Sequence, residues 1–236
     1  MLTLYGVTLS IYLWAIGFGL LGYFLGAIPT GLLIGKIFYK KDIRTEGSGN
    51  IGATNAIRHL GPLPGSLVLL IDGAKAFILP FYLIKTLPWG REAHIIQAKG
   101  FWNIVQEMVQ SMVSSIETFQ ISAILLGVVA VFIFLGNCFN IFLKFKGGKG
   151  VATSFGIFLA LSPYAAFAAA LIYLLIFLST KISAVGSLVG LLSLPLFIYL
   201  SHLWKPTDLW TIHFFISIFF YIIIFWKHRE NIRKMI

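Results

Sequence analysis

The sequence predicts an all-α, polytopic integral membrane protein with about seven transmembrane helices, and three observations carry that expectation. Hydrophobic residues make up 58% of the 236 residues and charged ones 11%, against about 25% charged in a soluble protein. Apolar stretches near the length that crosses a bilayer, about 20 residues, recur along the whole chain. The 18 Lys and Arg residues are sorted by side between those stretches.

The stretches run near 12–38, 63–86, 119–139, 150–162, 164–180, 183–203 and 209–227. The first has no Lys or Arg before Lys36, so it lacks the charged start of a secretory signal and reads as a retained helix. The second carries Asp72 and Lys75 at i, i+3. Charges at such depth are paired or functional, and here pairing with each other and a role in a site both stay open. The fourth and fifth are short and meet at Ser162-Pro163. Proline suits a first helical turn, so two helices are expected there in preference to one kinked span. Between the second and third, Phe101, Ile104, Val105, Met108, Val109, Met112 and Ile116 recur at helical spacing, with Gln106, Glu107 and Gln110 off that stripe. The segment near 87–118 therefore reads as an amphipathic helix on the outer surface or over the bundle, a lid or anchor without chemistry. The whole of 1–236 reads as one membrane-embedded domain.

Thirteen of the Lys and Arg residues flank one side: Lys36, Lys40, Lys41, Arg44, Arg58, Lys144, Lys146, Lys149, Lys181, Lys227, Arg229, Arg233 and Lys234. Four flank the other: Lys85, Arg91, Lys99 and Lys205. The positive-inside bias puts the first set in the cytoplasm, with the N-terminus out, the C-terminus in and an odd number of spans. The +10 charge is thus a topological signal and not a nucleic-acid footprint. One cysteine, Cys138, excludes a disulfide framework and a multi-Cys metal site. Eight acidic residues argue against a carboxylate-built metal site. The lack of cysteine pairs and of any N-x-Ser/Thr sequon fits a bacterial inner membrane.

Three polar segments fall on that cytoplasmic side. The first runs Glu46-Gly47-Ser48-Gly49-Asn50-Ile51-Gly52-Ala53-Thr54-Asn55-Ala56-Ile57-Arg58. Its glycine spacing matches a dinucleotide fingerprint, but it follows a transmembrane helix and not a strand, so a Rossmann domain is rejected. The physics of the pattern survives. Glycines bring backbone N–H groups close to an anion, Ser48, Asn50, Thr54 and Asn55 add neutral hydrogen-bonding groups, and Arg58 adds a fork suited to phosphate.

The second segment, Lys146-Gly147-Gly148-Lys149-Gly150-Val151-Ala152-Thr153, is not a Walker A motif. That motif needs a glycine where Leu143 stands and a Ser or Thr where Gly150 stands. A Lys inside a glycine run that opens a helix still makes a phosphate site, so Lys149 is a candidate. Lys144 and Lys146 read as topology anchors. The third segment, His228-Arg229-Glu230-Asn231, follows the last span and offers a titratable ring, a guanidinium, a carboxylate and an amide. Lys227, Arg233 and Lys234 read as a basic stop. Cys138, at a helix end, reads as a small apolar side chain.

In this order, GSGNIGATNAIR at 47–58, FLKFKGGKGVATSFG at 142–156 and HRENI at 228–232 resemble the bacterial acyl-phosphate:glycerol-3-phosphate acyltransferase family (PlsY type), with AIPTG at 27–31 and DGAKAF at 72–77 as lesser matches. The resemblance covers the chain apart from about 87–118. It implies a seven-helix fold with a cytoplasmic site that transfers an acyl group from acyl phosphate to glycerol 3-phosphate, giving lysophosphatidate and phosphate, with no metal or nucleotide. It also implies that Gly47, Ser48, Gly49, Asn50, Thr54, Asn55 and Arg58 form a substrate loop, and that Lys149 with Gly147, Gly148, Gly150 and Thr153 holds phosphate. His228, Arg229, Glu230 and Asn231 complete the site, with Ser48, His228 and Asn231 as the catalytic candidates. Contact with an acyl-phosphate-producing enzyme is compatible with this. Three positions depart from the pattern: Gly136-Asn137 and Asn140 stand where the family has Gly-His and a Pro, and Ala27 stands for a common Ser.

The chemistry fits the inventory. An acyl phosphate is already activated, and two phosphates that repel each other must be held side by side, which calls for Lys and Arg. Rival chemistries lack their residues. No His has an Asp five positions on, and Asp42, Asp72 and Asp208 are too few for a CDP-alcohol phosphotransferase. An anion transporter or channel is the alternative, and it would call for inverted repeats of interrupted helices, which the sequence does not show.

Overall fold

The computed structural model describes residues 2–86, 117–206 and 209–234, and the regular elements among them are helices. These are α1 Leu2–Ala27, α2 Thr30–Tyr39, α3 Ala53–Leu60, α4 Pro62–Thr86, α5 Glu117–Cys138, a 3₁₀ turn at Ile141–Leu143, α6 Val151–Leu161, α7 Pro163–Thr180, α8 Ser183–Trp204, α9 Trp210–Lys227 and α10 Arg229–Arg233. The expected amphipathic helix near 87–118 lies outside the described residues, apart from the start of α5.

Six stretches are long and apolar enough to cross a membrane: Leu13–Tyr39, Pro62–Thr86, Ala123–Leu143, Pro163–Thr180, Ser183–Trp204 and Trp210–Lys227. The expected fourth span is α6, only 11 residues long, which at 1.5 Å per residue reaches about 16 Å, half of the hydrocarbon core. Ser162 and Pro163 separate it from α7, as the proline suggested. The turn is pinned where Ser162 Oγ meets His213 Nδ1 at 3.0 Å, near the start of α9.

The first span differs from expectation. Its helix begins at Leu2 and breaks at Ile28-Pro29 instead of running unbroken over 12–38. Proline has no N–H to donate and pushes the residue before it out of the helical region. The break frees two carbonyls that buried side chains take up. Ile28 O accepts from Lys75 Nζ at 2.7 Å, and Ala27 O accepts from Asn140 Nδ2. Lys75 Nζ also lies 2.8 Å from Asp72 Oδ1, which accepts from Thr30 Oγ1 at 2.9 Å. Asp72 and Lys75 therefore pair with each other and together brace the broken helix.

Close helix approach sets the packing. A Cβ on Gly26 would stand 2.0 Å from Ile133 O, and one on Gly136 2.0 Å from Tyr23 O, so α1 and α5 cross with backbones in contact. A Cβ on Gly156 would lie 2.1 Å from Gly73 O, which fixes α6 against α4. Phe134, Phe158 and Phe220 fill the centre, Phe134 and Phe220 stacked at 3.9 Å. The α7–α8 pair packs on itself and on α9, and it meets the α4–α6 pair mainly near the Ser162 turn. The gap left between the two pairs is the cavity described next.

Candidate active site

The three polar segments converge at one end of the bundle, each for a local reason. In the first, Gly47 and Gly49 hold φ of +55° and +67°, which glycine adopts at little cost. Asn55 closes this loop. Its Nδ2 donates to Ile43 O at 2.9 Å and Glu46 O at 3.1 Å. Its Oδ1 accepts from Ser48 N and Ser48 Oγ, both at 3.2 Å. The result turns Ser48, Asn50, Thr54 and Arg58 toward one cavity.

In the second segment Gly150 has φ of +84°, and a Cβ there would lie 2.4 Å from Phe134. Gly148 N donates to Asn137 O at 2.9 Å, so the glycine run lies against the end of α5. Lys149 then reaches inward, and its Nζ donates to Asn231 Oδ1 at 2.6 Å, which ties the second segment to the third. Burial lowers the Lys149 pKa to about 8; Glu230 opposes that shift, while Arg58 and Lys234 add to it.

His228 is 3% exposed. Its Nδ1 stands 2.8 Å from Ile224 O. A carbonyl only accepts, so Nδ1 carries the proton and Nε2 keeps its lone pair. Burial lowers the ring's pKa to about 4; the Ile224 carbonyl opposes this and Lys149 adds to it. The imidazole is therefore neutral at ordinary pH and acts as a hydrogen-bond acceptor and weak base.

The cavity these segments head has a volume of about 630 Å³. Ser48, Asn50, Thr54, Asn55, Arg58, Gly148, Lys149, Gly150, Thr153, His228 and Asn231 line it. Gly47, Gly49, Gly147, Arg229 and Glu230 do not. The Arg229 guanidinium lies 4.1 Å over the Trp226 ring and donates to Trp226 O. The other limb runs between α4, α6, α7 and α8 and is lined by Leu69, Phe77, Leu159, Ala166, Ala170 and Leu194. Asp72 lines the cavity too, so pairing and a place at the site hold together.

Sequence reasoning missed Thr30, Tyr173, Ser183 and Ser187, which also line it. Thr54 Oγ1 meets Ser183 Oγ at 3.2 Å, and Tyr173 Oη meets the same hydroxyl at 3.4 Å. These side chains are spread over three helices and lack the clustered glycines and cations that marked the other segments, although Thr30 and Ser187 each adjoin a single glycine. Among the described residues no group of three or more His, Cys, Asp or Glu converges. A cavity with a cationic, hydrogen-bonding head and an apolar limb suits a phosphorylated head group with a hydrocarbon tail.

Comparison with known proteins points the same way. A family model described as glycerol-3-phosphate acyltransferase matches residues 16–236. A glycerol-3-phosphate acyltransferase of Anaeromyxobacter sp. (strain Fw109-5) is 36% identical over 215 residues, covering 91% of this chain and 89% of the relative. One of Lacticaseibacillus casei (strain BL23) is 37% identical over 218 residues, covering 92% and 86%. The crystal structure of PlsY (YgiH), an integral membrane glycerol 3-phosphate acyltransferase, in its glycerol 3-phosphate form matches with a TM-score of 0.71 and 29% identity, over 94% of this chain and 91% of that one. Its lysophosphatidic acid form matches with a TM-score of 0.69 and 28% identity over the same shares.

Proposed function

The chain belongs to the glycerol-3-phosphate acyltransferase family, and we propose that its acyl donor is an acyl phosphate, so that it turns acyl phosphate and glycerol 3-phosphate into lysophosphatidate and phosphate. It is an integral membrane acyltransferase, and the family match decides against the transporter alternative. One observation supports the donor most: Lys149 Nζ on Asn231 Oδ1 heads a cavity whose other limb is apolar.

In this reading Arg58 and Lys149 hold the two phosphates against their mutual repulsion. Ser48, Asn50, Thr54 and Thr153 supply neutral hydrogen bonds, and the apolar limb takes the acyl chain. The acceptor hydroxyl oxygen attacks the acyl carbonyl carbon, the bond from that carbon to the phosphate oxygen breaks, and phosphate departs. Asn231 and Ser48 orient the reacting groups. His228 Nε2 accepts a hydrogen bond from the attacking hydroxyl, and the proton ends on a phosphate oxygen. Glu230 supports the charge of Lys149 from outside the cavity wall. The Lys and Arg asymmetry supports an N-out, C-in chain in a bacterial inner membrane with the site toward the cytoplasm, where contact with an acyl-phosphate-producing enzyme would deliver the donor. All of this belongs to one membrane-embedded domain.

The test is a purified-protein assay without nucleotide. Acyl phosphate with glycerol 3-phosphate should give lysophosphatidate, and the matching acyl thioesters should give none. Turnover with a thioester donor and none with acyl phosphate would overturn the donor assignment and leave the family intact.

A further inference from the structure

Four polar residues meet beneath the glycine run where α1 breaks: Thr30, Asp72, Asn137 and Asn140, all lining the cavity. Three of them have side-chain partners inside the protein. Thr30 donates to Asp72, Asp72 accepts from Thr30 and Lys75, and Asn140 donates to Ala27 O and accepts from Phe142 N. Asn137 is the exception. It is 8% exposed, and its side-chain amide hydrogen-bonds to none of the described residues. The fully buried side-chain polar atoms without a partner among the described residues are Ser154 Oγ and His213 Nε2, so the Asn137 amide instead opens onto the cavity and is free to meet its occupant.

Its place says what completes it. The peptide oxygen of Asn137 already accepts from Gly148 N, which fixes the residue against the glycine run. The side chain lies over Gly148: a Cβ there would stand 2.9 Å from Asn137 Oδ1 and 3.9 Å from Nδ2. With no partner among the described residues to hold the amide in one orientation, rotation about its last side-chain bond turns Nδ2 to the same spot. An anion on the Gly148–Gly150 backbone, under the Lys149 ammonium, would meet that N–H₂.

We propose that the Asn137 side-chain amide is a further binding group of the site, donating a hydrogen bond to a phosphate oxygen seated on the glycine run. An amide stays neutral at every working pH, so it adds a donor without adding to the positive charge of Lys149 and Arg58. The proposal rests on the reading of that run as a phosphate site.

The test varies acyl phosphate and glycerol 3-phosphate separately and measures inhibition by inorganic phosphate, for Asn137→Ala, Asn137→Asp, Asn137→His and Lys149→Ala. The arm whose KM moves identifies which substrate's phosphate is held. Asn137→Ala should raise one KM, and the phosphate inhibition constant with it, by about tenfold, the scale of one hydrogen bond to a charged group. Asn137→Asp should weaken both further, because a carboxylate repels the anion. Asn137→His keeps an N–H donor and should restore much of the binding. Unchanged KM and inhibition constants in Asn137→Ala and Asn137→Asp, while Lys149→Ala raises them, would overturn the role of Asn137 alone. A lowered unfolding temperature with unchanged constants would do so as well, in favour of packing. No effect of Lys149→Ala would remove the phosphate site and Asn137 with it.

Discussion

Lys149 Nζ and Asn231 Oδ1 stand 2.6 Å apart although 82 residues separate them in sequence. The contact joins the glycine run before α6 to α10 and fixes the ammonium at the head of the cavity. It also half-buries a cation beside Arg58 and Lys234, which is why its pKa falls to about 8.

A pH dependence follows. Lys149 carries its charge below its pKa and loses it as pH rises. Phosphate binding should therefore be intact at neutral pH, and kcat/KM should fall on the alkaline side with a midpoint near pH 8. Lys149→Arg should carry that limb to higher pH, since a guanidinium stays charged. An alkaline limb unmoved by Lys149→Arg would assign the titration to another group.

Two lysines of one run should behave differently. Lys149 lines the cavity, whereas Lys144 is exposed with φ of +51°. Lys149→Ala should lower kcat/KM by about 10²-fold or more, as loss of a preorganised charged donor does, and Lys144→Ala should change it by less than about twofold. Equal effects in steady-state kinetics would reduce the run to a topology anchor.

The Asp72–Lys75 pair should govern stability. Asp72→Ala leaves the buried Lys75 ammonium without its counter-charge, a loss of about 3–5 kcal/mol. Replacing both, as Asp72→Leu with Lys75→Met, removes the two charges together and should recover much of that. Thermal unfolding in detergent compares them, and a double variant no more stable than Asp72→Ala would show that the polar bracing of the α1 break matters more than charge pairing.

Sidedness can be read with thiol probes. The single native thiol, Cys138, is fully buried, and a Cys138→Ala background removes it from the labelling. A cysteine replacing exposed Lys205 should react with an impermeant reagent from outside. One replacing exposed Thr45 should react only after permeabilisation. The reverse pattern would invert the orientation and the cytoplasmic assignment of the site.

Much of this architecture is legible in the residues because burial in lipid demands long apolar runs, and breaks in them are marked by Pro163 and by glycine clusters. The glycine runs around Ser48 and Lys149 announce themselves by composition. The break at Ile28-Pro29 also carries a proline, but Pro80 and Pro195 sit inside unbroken helices, so a proline in an apolar run does not by itself mark a break; Lys75 and Asn140 from distant helices hold this one. Tyr173 and Ser183 were illegible for a similar reason. They reach the cavity only because α7 and α8 fold back toward Thr54. Arg229 shows the opposite case: its residue type and neighbours suggested a phosphate contact, but the adjacent Trp226 ring takes the guanidinium.

The order of bond-making can be tested from what surrounds the available nucleophiles. Ser48 Oγ has Asn55 Oδ1 as its hydrogen-bond acceptor at 3.2 Å, and an amide oxygen cannot take its proton as a base would. Cys138 is 0% exposed and out of reach of a donor. His228 hydrogen-bonds through Nδ1 to Ile224 O and offers only Nε2. An acyl-enzyme needs a nucleophile with an oriented base beside it, and neither residue has one. Direct attack by the glycerol 3-phosphate hydroxyl therefore requires both substrates bound at once. Initial rates should give intersecting and not parallel double-reciprocal lines. Labelled acyl phosphate mixed with enzyme alone should leave no label on the protein, whereas addition of glycerol 3-phosphate should release labelled lysophosphatidate. A stoichiometric acyl adduct on Ser48 or Cys138 that passes its label to glycerol 3-phosphate at the turnover rate would replace this mechanism with a two-step one.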